Sequence, residues 1–63
     1  MNQYRTCYTY KIELANAEPE IRIYRNDNEA SLEVMQEYDP EEYPVINIFR
    51  VNEKTYEEIY PVY

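Results

Sequence analysis

At 63 residues, with no glycine, no histidine and a single cysteine, the chain has room for one small domain (1–63), which buries only about 60% of the surface its unfolded form exposes. One thiol excludes an internal disulfide, and the missing histidine removes the usual zinc ligand and the base of the serine and cysteine triads. Thirteen carboxylates against six Lys and Arg give a net charge of −7, the wrong sign for neutralising phosphates, so direct nucleic-acid binding is excluded.

From Tyr4 to Leu14 the residues alternate: Tyr4, Thr6, Tyr8, Tyr10, Ile12 and Leu14 point one way, and Arg5, Cys7, Thr9, Lys11 and Glu13 the other. A period of two in β-branched and aromatic residues predicts a half-buried strand, with Cys7 as a small half-buried filler on its polar side. The turn Ala15–Pro19 ends it, since proline cannot donate to a ladder. Glu20–Arg25 resumes the alternation, with Ile21 and Ile23 on one side, and completes a hairpin.

Asn26-Asp27-Asn28 predicts a helix start, with Asn26 and Glu29 at capping-box spacing. The helix runs to about Tyr38, with Leu32, Met35 and Tyr38 as its buried face and Val34 at the edge of that face. It ends at Asp39-Pro40, because a residue before proline disfavours the α region. Glu41–Pro44 then leads into Val45–Val51, the most apolar run in the chain, with Val45, Phe49 and Val51 on one face and Ile46 and Ile48 on the other. A strand apolar on both faces is a central one. Asn52-Glu53 is expected as a tight turn and Thr55–Tyr60 as the last strand, although Tyr56, Ile59 and Tyr60 also fit helical spacing. Pro61 places that strand at a sheet edge. Without glycine, Asn16, Asn26 and Asn52 are the candidates for left-handed backbone.

The resulting class is α+β: a β-β-α-β-β chain forming a four-stranded antiparallel sheet of order 2-1-3-4 with one helix on one face. Nine tyrosines supply much of the apolar area. Each buries a ring while its hydroxyl requires water or a hydrogen-bond partner, which suits a thin core or an interface. No apolar run approaches the roughly 20 residues needed to span a bilayer, and no signal segment precedes the first strand, so a cytoplasmic protein without a membrane partner is expected.

Chemistry-bearing motifs are few. There is no glycine-rich phosphate loop, and Asp39-Pro40-Glu41-Glu42 lacks the glycine turn and spaced oxygen ligands of a calcium loop. No enzyme activity, cofactor or metal is therefore expected. Charge segregation is the informative feature: residues 26–49 hold seven carboxylates (Asp27, Glu29, Glu33, Glu37, Asp39, Glu41, Glu42) and neither Lys nor Arg. The remaining six carboxylates and six basic residues cancel. Glu29, Glu33 and Glu37 follow one another at i+4, where like charges destabilise an isolated helix, and a field so concentrated attracts a basic surface.

In size, acidity and predicted architecture the chain resembles small phage-type inhibitors of nucleases, restriction enzymes, CRISPR effectors and polymerases, a likeness of class without a diagnostic motif. It implies an acidic inhibitor or regulator, a full or partial DNA mimic, that binds a nucleic-acid-processing partner through the seven carboxylates together with Tyr38 and Tyr43. The alternatives are a small homodimeric interaction module, with Ile46 and Ile48 as the contact on the open sheet face, and an antitoxin-like adaptor.

Overall fold

A computed structural model describes residues 6–62; Tyr4 and Arg5, expected at the start of the first strand, lie outside them. Strands β1 (Tyr8–Leu14) and β2 (Glu20–Tyr24) form the hairpin, helix α1 spans Asp27–Glu37, and β3 (Val45–Val51) and β4 (Glu58–Pro61) complete the order. The sheet order is β2-β1-β3-β4 with every neighbouring pair antiparallel, the α+β arrangement expected. The two longest strands are central, so each satisfies its backbone groups on both sides.

One face of the sheet carries Tyr10, Ile12 and Leu14 from β1, Tyr24 from β2 and Ile48 from β3, packed under Ala30, Val34 and Tyr38. Those last three stand at i, i+4 and i+8, a single stripe along the helix. The expected inner face is corrected here: Leu32 and Met35 are 54% and 61% exposed, and of the three residues assigned to it only Tyr38 is buried. Ala30 is fully buried against the sheet, and Leu32 is turned away from it. At the helix N-terminus Asn26 is the cap expected, but the return bond of the capping box falls one residue before it. Asn26 is extended and its side chain accepts from the Glu29 N–H at 2.7 Å, while the Glu29 carboxylate reaches back to the Arg25 N–H. Such a cap contributes about 1 kcal/mol.

Two register shifts reshape the apolar pattern. Glu13 faces Asn47 but Leu14 faces Val45, leaving Ile46 as the extra residue of a bulge. Val45 is thereby brought to the helix side, Ile46 is left 51% exposed and Ile48 is fully buried. The expected pairing of Ile46 with Ile48 on the open face is thus wrong: Ile48 belongs to the core, and Asn47 faces the open side, where it donates to Glu13 at 2.7 Å. A bulge inserts one residue and reverses the facing of its neighbours beyond that point, which alternation cannot reveal. The second shift leaves Ile59 unpaired between Glu58 and Tyr60.

The link from β3 to β4 is longer than the two-residue turn expected. The Asn52 side chain accepts from the N–H groups of Lys54 and Thr55, and its backbone exchanges bonds with Tyr56 and Glu57. Thr55, Tyr56 and Glu57 are therefore loop, and the last strand begins only at Glu58. Among the described residues the one positive φ is at Tyr56, 63°, and neither Asn16, Asn26 nor Asn52 takes that role. Cys7 is exposed rather than half-buried.

Candidate functional site

Spatial arrangement divides the seven carboxylates of residues 26–49 into two groups. Three on the helix are met by arginines from elsewhere in the chain. Asp27 accepts from the hydroxyls of Tyr10 at 2.6 Å and Tyr60 at 2.7 Å and lies 4.0 Å from Arg50. Glu37 accepts from Arg22 and, at 3.1 Å, from the Tyr24 hydroxyl. Glu29 pairs with Arg25 at 3.3 Å across one helical turn. Two matching relays result, one at each end of the helix. Arg50 donates to Tyr60, which donates to Asp27; Arg22 donates to Tyr38, which donates to Glu20. Arg50 also lies 3.5 Å over the Tyr8 ring, where a cation is drawn to the face of the π-system.

These bonds answer the hydroxyl requirement of buried tyrosine: the rings of Tyr10, Tyr24 and Tyr38 fill the core and their hydroxyls reach carboxylates at its rim. The same contacts set the electrostatics. Hydrogen bonds from Tyr10 and Tyr60 hold the Asp27 carboxyl below its ordinary value, with Arg50 adding to the effect. Burial, and then Asp27, push the Tyr10 hydroxyl up. Burial pushes Tyr24 up to about 12, with the Glu37 charge adding to the shift and Arg22 opposing it. Tyr38 rises through burial and its bond to Glu20, and Tyr60 through its bond to Asp27. Every one of these shifts runs away from neutral pH, opposite to the tuning of a group poised for proton transfer.

The second group is different. Among the described residues Glu33, Asp39, Glu41 and Glu42 make no salt bridge. Glu33 is half-buried on the helix flank, and Asp39, Glu41 and Glu42 are exposed on the loop after it. That loop is a built turn. The N–H groups of Glu42 and Tyr43 bond to the Asp39 carbonyl, and the Asp39 side chain accepts from the Glu41 N–H. Asn16 of the β1–β2 turn ties it down by donating to the Glu42 carbonyl at 2.7 Å. The carboxylates of Glu41 and Glu42 are thus carried on an anchored backbone.

Of the residues expected at a partner surface, the structure brings Asp39, Glu41, Glu42 and Tyr43 together on this loop, with the Tyr43 ring about half-exposed. Tyr38 lies at the root of the loop with its ring in the core. Asp27, Glu29 and Glu37 are occupied within the fold. Sequence reasoning missed Arg22, Arg50, Tyr10, Tyr24 and Tyr60 as partners of the helix carboxylates. The available signal was the run of same-face tyrosines in strands, each needing an acceptor.

Among the described residues no cluster of three or more His, Cys, Asp or Glu is placed to hold a metal ion, and no helix is long and apolar enough to cross a membrane. No family model, curated protein or solved structure matches the chain.

Proposed function

We propose that this protein is a non-enzymatic acidic inhibitor or regulator that binds a basic, nucleic-acid-binding surface of a partner protein and stands in for part of the nucleic acid. The observation that carries this reading is the anchored loop of Asp39, Glu41 and Glu42, whose exposed carboxylates lack internal cations among the described residues while three carboxylates of the neighbouring helix have them. A fold that supplies an arginine to each of Asp27, Glu29 and Glu37 leaves the loop charges to solvent or a partner. Unlike a row of free glutamates on a helix, such a patch is compact, and it mimics a few phosphates rather than a long duplex. Charge complementarity of this kind contributes chiefly to association rate and specificity and weakens as salt rises.

The test is retention of proteins from the native cell's lysate on the immobilised chain, with separate elution by salt and by duplex DNA. The reading expects the retained proteins to be nucleic-acid-binding ones, released by both eluents and not retained by a Glu41→Lys, Glu42→Lys variant. Retention that resists salt and DNA alike and survives the charge reversal overturns it.

A second reading, a structural interaction module, is favoured by the open sheet face. There Ile21 and Ile23 of edge strand β2 stand on the side away from the helix, Ile23 being 65% exposed. Association through that face would be indifferent to salt.

A further inference from the structure

Between the C-terminal half of α1, the acidic loop and the start of β3 lies a cavity of about 120 Å³. Its walls are Val34 and Met35 from the helix with Tyr38 at its end, Pro40 and Tyr43 from the loop, and Val45 and Ile48 from β3. Ile48 and Val34 form a fully buried floor, whereas Met35 and Tyr43 stand at the mouth largely or half exposed. The bulge at Ile46 is what brings Val45 to this side of the sheet. A dry cavity of roughly 150 Å³ holds a benzene molecule, so this smaller one, open at its mouth, takes a single side chain of leucine size or an aromatic ring inserted by its edge. Methionine at the mouth adapts its shape to what enters.

Charge selects the occupant. The loop that supplies Pro40 and Tyr43 also carries Asp39, Glu41 and Glu42, which among the described residues make no salt bridge. A second copy of this chain would bring another −7 toward the same carboxylates. We infer that the cavity receives one apolar side chain, of leucine or phenylalanine size, projecting from a basic segment of the partner, with flanking Lys or Arg residues on Asp39, Glu41 and Glu42. The arrangement is an apolar anchor inside a charged rim, the layout of a binding hot spot. It rests on the acidic-loop reading and deepens it: charge brings the partner in, and the cavity chooses which basic segment stays.

Three synthetic peptides, Lys-Arg-Lys-X-Arg-Lys-Arg with X as Ala, Leu or Phe, and a neutral Leu-containing control test the inference. Affinity is read by fluorescence anisotropy and contact by methyl chemical shifts. The Leu and Phe peptides are expected to bind at least about tenfold tighter than the Ala peptide, the effect of burying two or three further carbon groups. They should move the methyl signals of Val34, Val45 and Ile48 and leave those of Leu32, on the far side of the helix, in place. Met35→Glu makes the rim more acidic yet should bring the Leu-to-Ala ratio close to one. Glu41→Gln with Glu42→Gln should weaken all three basic peptides alike.

Equal affinity of the Ala, Leu and Phe peptides with no methyl response overturns the cavity while leaving the acidic loop standing. Failure of every basic peptide to bind at low salt overturns both. A neutral Leu peptide that binds as tightly as the basic one overturns the choice of a basic partner. Concentration-dependent shifts of the same methyls without peptide overturn the assignment in favour of a second copy.

Discussion

Within residues 26–49 the helix and the loop after it are both acidic, yet the fold treats three of the four helix carboxylates and the three of the loop in opposite ways. Glu33 alone on the helix makes no salt bridge among the described residues. On the helix, Asp27, Glu29 and Glu37 are met by Arg50, Arg25 and Arg22, and tyrosine hydroxyls also donate to Asp27 and Glu37. On the loop, Asp39, Glu41 and Glu42 are held in position by backbone bonds and make no salt bridge among the described residues. Asp27 and Glu37 are part of what joins helix to sheet, Glu29 closes on Arg25 within its own turn, and the charges of the second group are displayed. The lesson is that segregation along a chain and segregation in space differ. Arginines from β2 and β3 travel to the helix, and what remains uncompensated is a smaller, better-defined patch than the sequence suggests.

The largest effect expected from breaking this architecture lies under the helix. Ile48→Ala should cost about 2–5 kcal/mol, from lost transfer energy and the cavity left behind, whereas Leu32→Ala, at an exposed position, should stay within about 0.5 kcal/mol of the parent. Urea denaturation of the two variants checks the pair. A large loss at Leu32 would mean that the helix presents its other side to the sheet.

Titration gives a second, intermediate test of the inner group. Tyr24 is raised from its ordinary 10 to about 12, and Tyr10 and Tyr38 are raised as well. A group whose value is raised on folding contributes stability that is complete below its unfolded value and is lost as pH climbs through its folded one. Stability should therefore hold to about pH 10 and fall between 10 and 12. Tyr24→Phe should flatten part of that fall. Asp27 is shifted the other way, so its contribution is present above its ordinary value and disappears in acid. Denaturation curves across both limbs read these signs, and a flat alkaline limb would contradict the burial and bonding of these hydroxyls.

The smallest effect contrasts the acidic loop with the one joining β3 to β4. In the latter Tyr56 adopts φ 63°, a conformation that costs a non-glycine residue roughly 1–2 kcal/mol and that asparagine tolerates better. Tyr56→Asn should gain up to about 1 kcal/mol in thermal or urea denaturation. The change should leave any property of the Asp39–Tyr43 loop untouched.

Much of the fold was legible. The alternation of β1, the proline boundaries and the Asn26 cap specify β-β-α-β-β, and hairpin adjacency with two long apolar strands specifies the order β2-β1-β3-β4. The inner face of the helix was not legible from large apolar residues. Leu32 and Met35 are larger apolar side chains than Ala30 and Val34, but Asp27 and Glu37 are fastened to the sheet by tyrosines and arginines, and those bonds help fix which side turns inward. Nor were the bulges at Ile46 and Ile59 legible, because a period of two carries no record of where a residue is skipped. For the candidate site, the acidic loop and Tyr43 were legible as composition. The division into bonded and displayed groups rests, for Asp27 and Glu37, on contacts between residues 13 to 33 positions apart, and only the Glu29–Arg25 pair is local.

The most direct measurement compares two variants that each remove two negative charges: Asp27→Asn with Glu37→Gln, and Glu41→Gln with Glu42→Gln. Urea denaturation of both against the parent, at the same pH and ionic strength, separates position from net charge. The helix pair should lose about 2 kcal/mol, since buried hydroxyls lose charged acceptors, whereas the loop pair should match the parent or exceed it slightly as like charges are relieved. Equal losses in the two variants, or a larger loss from the loop pair, would contradict the division of these carboxylates into structural and displayed groups.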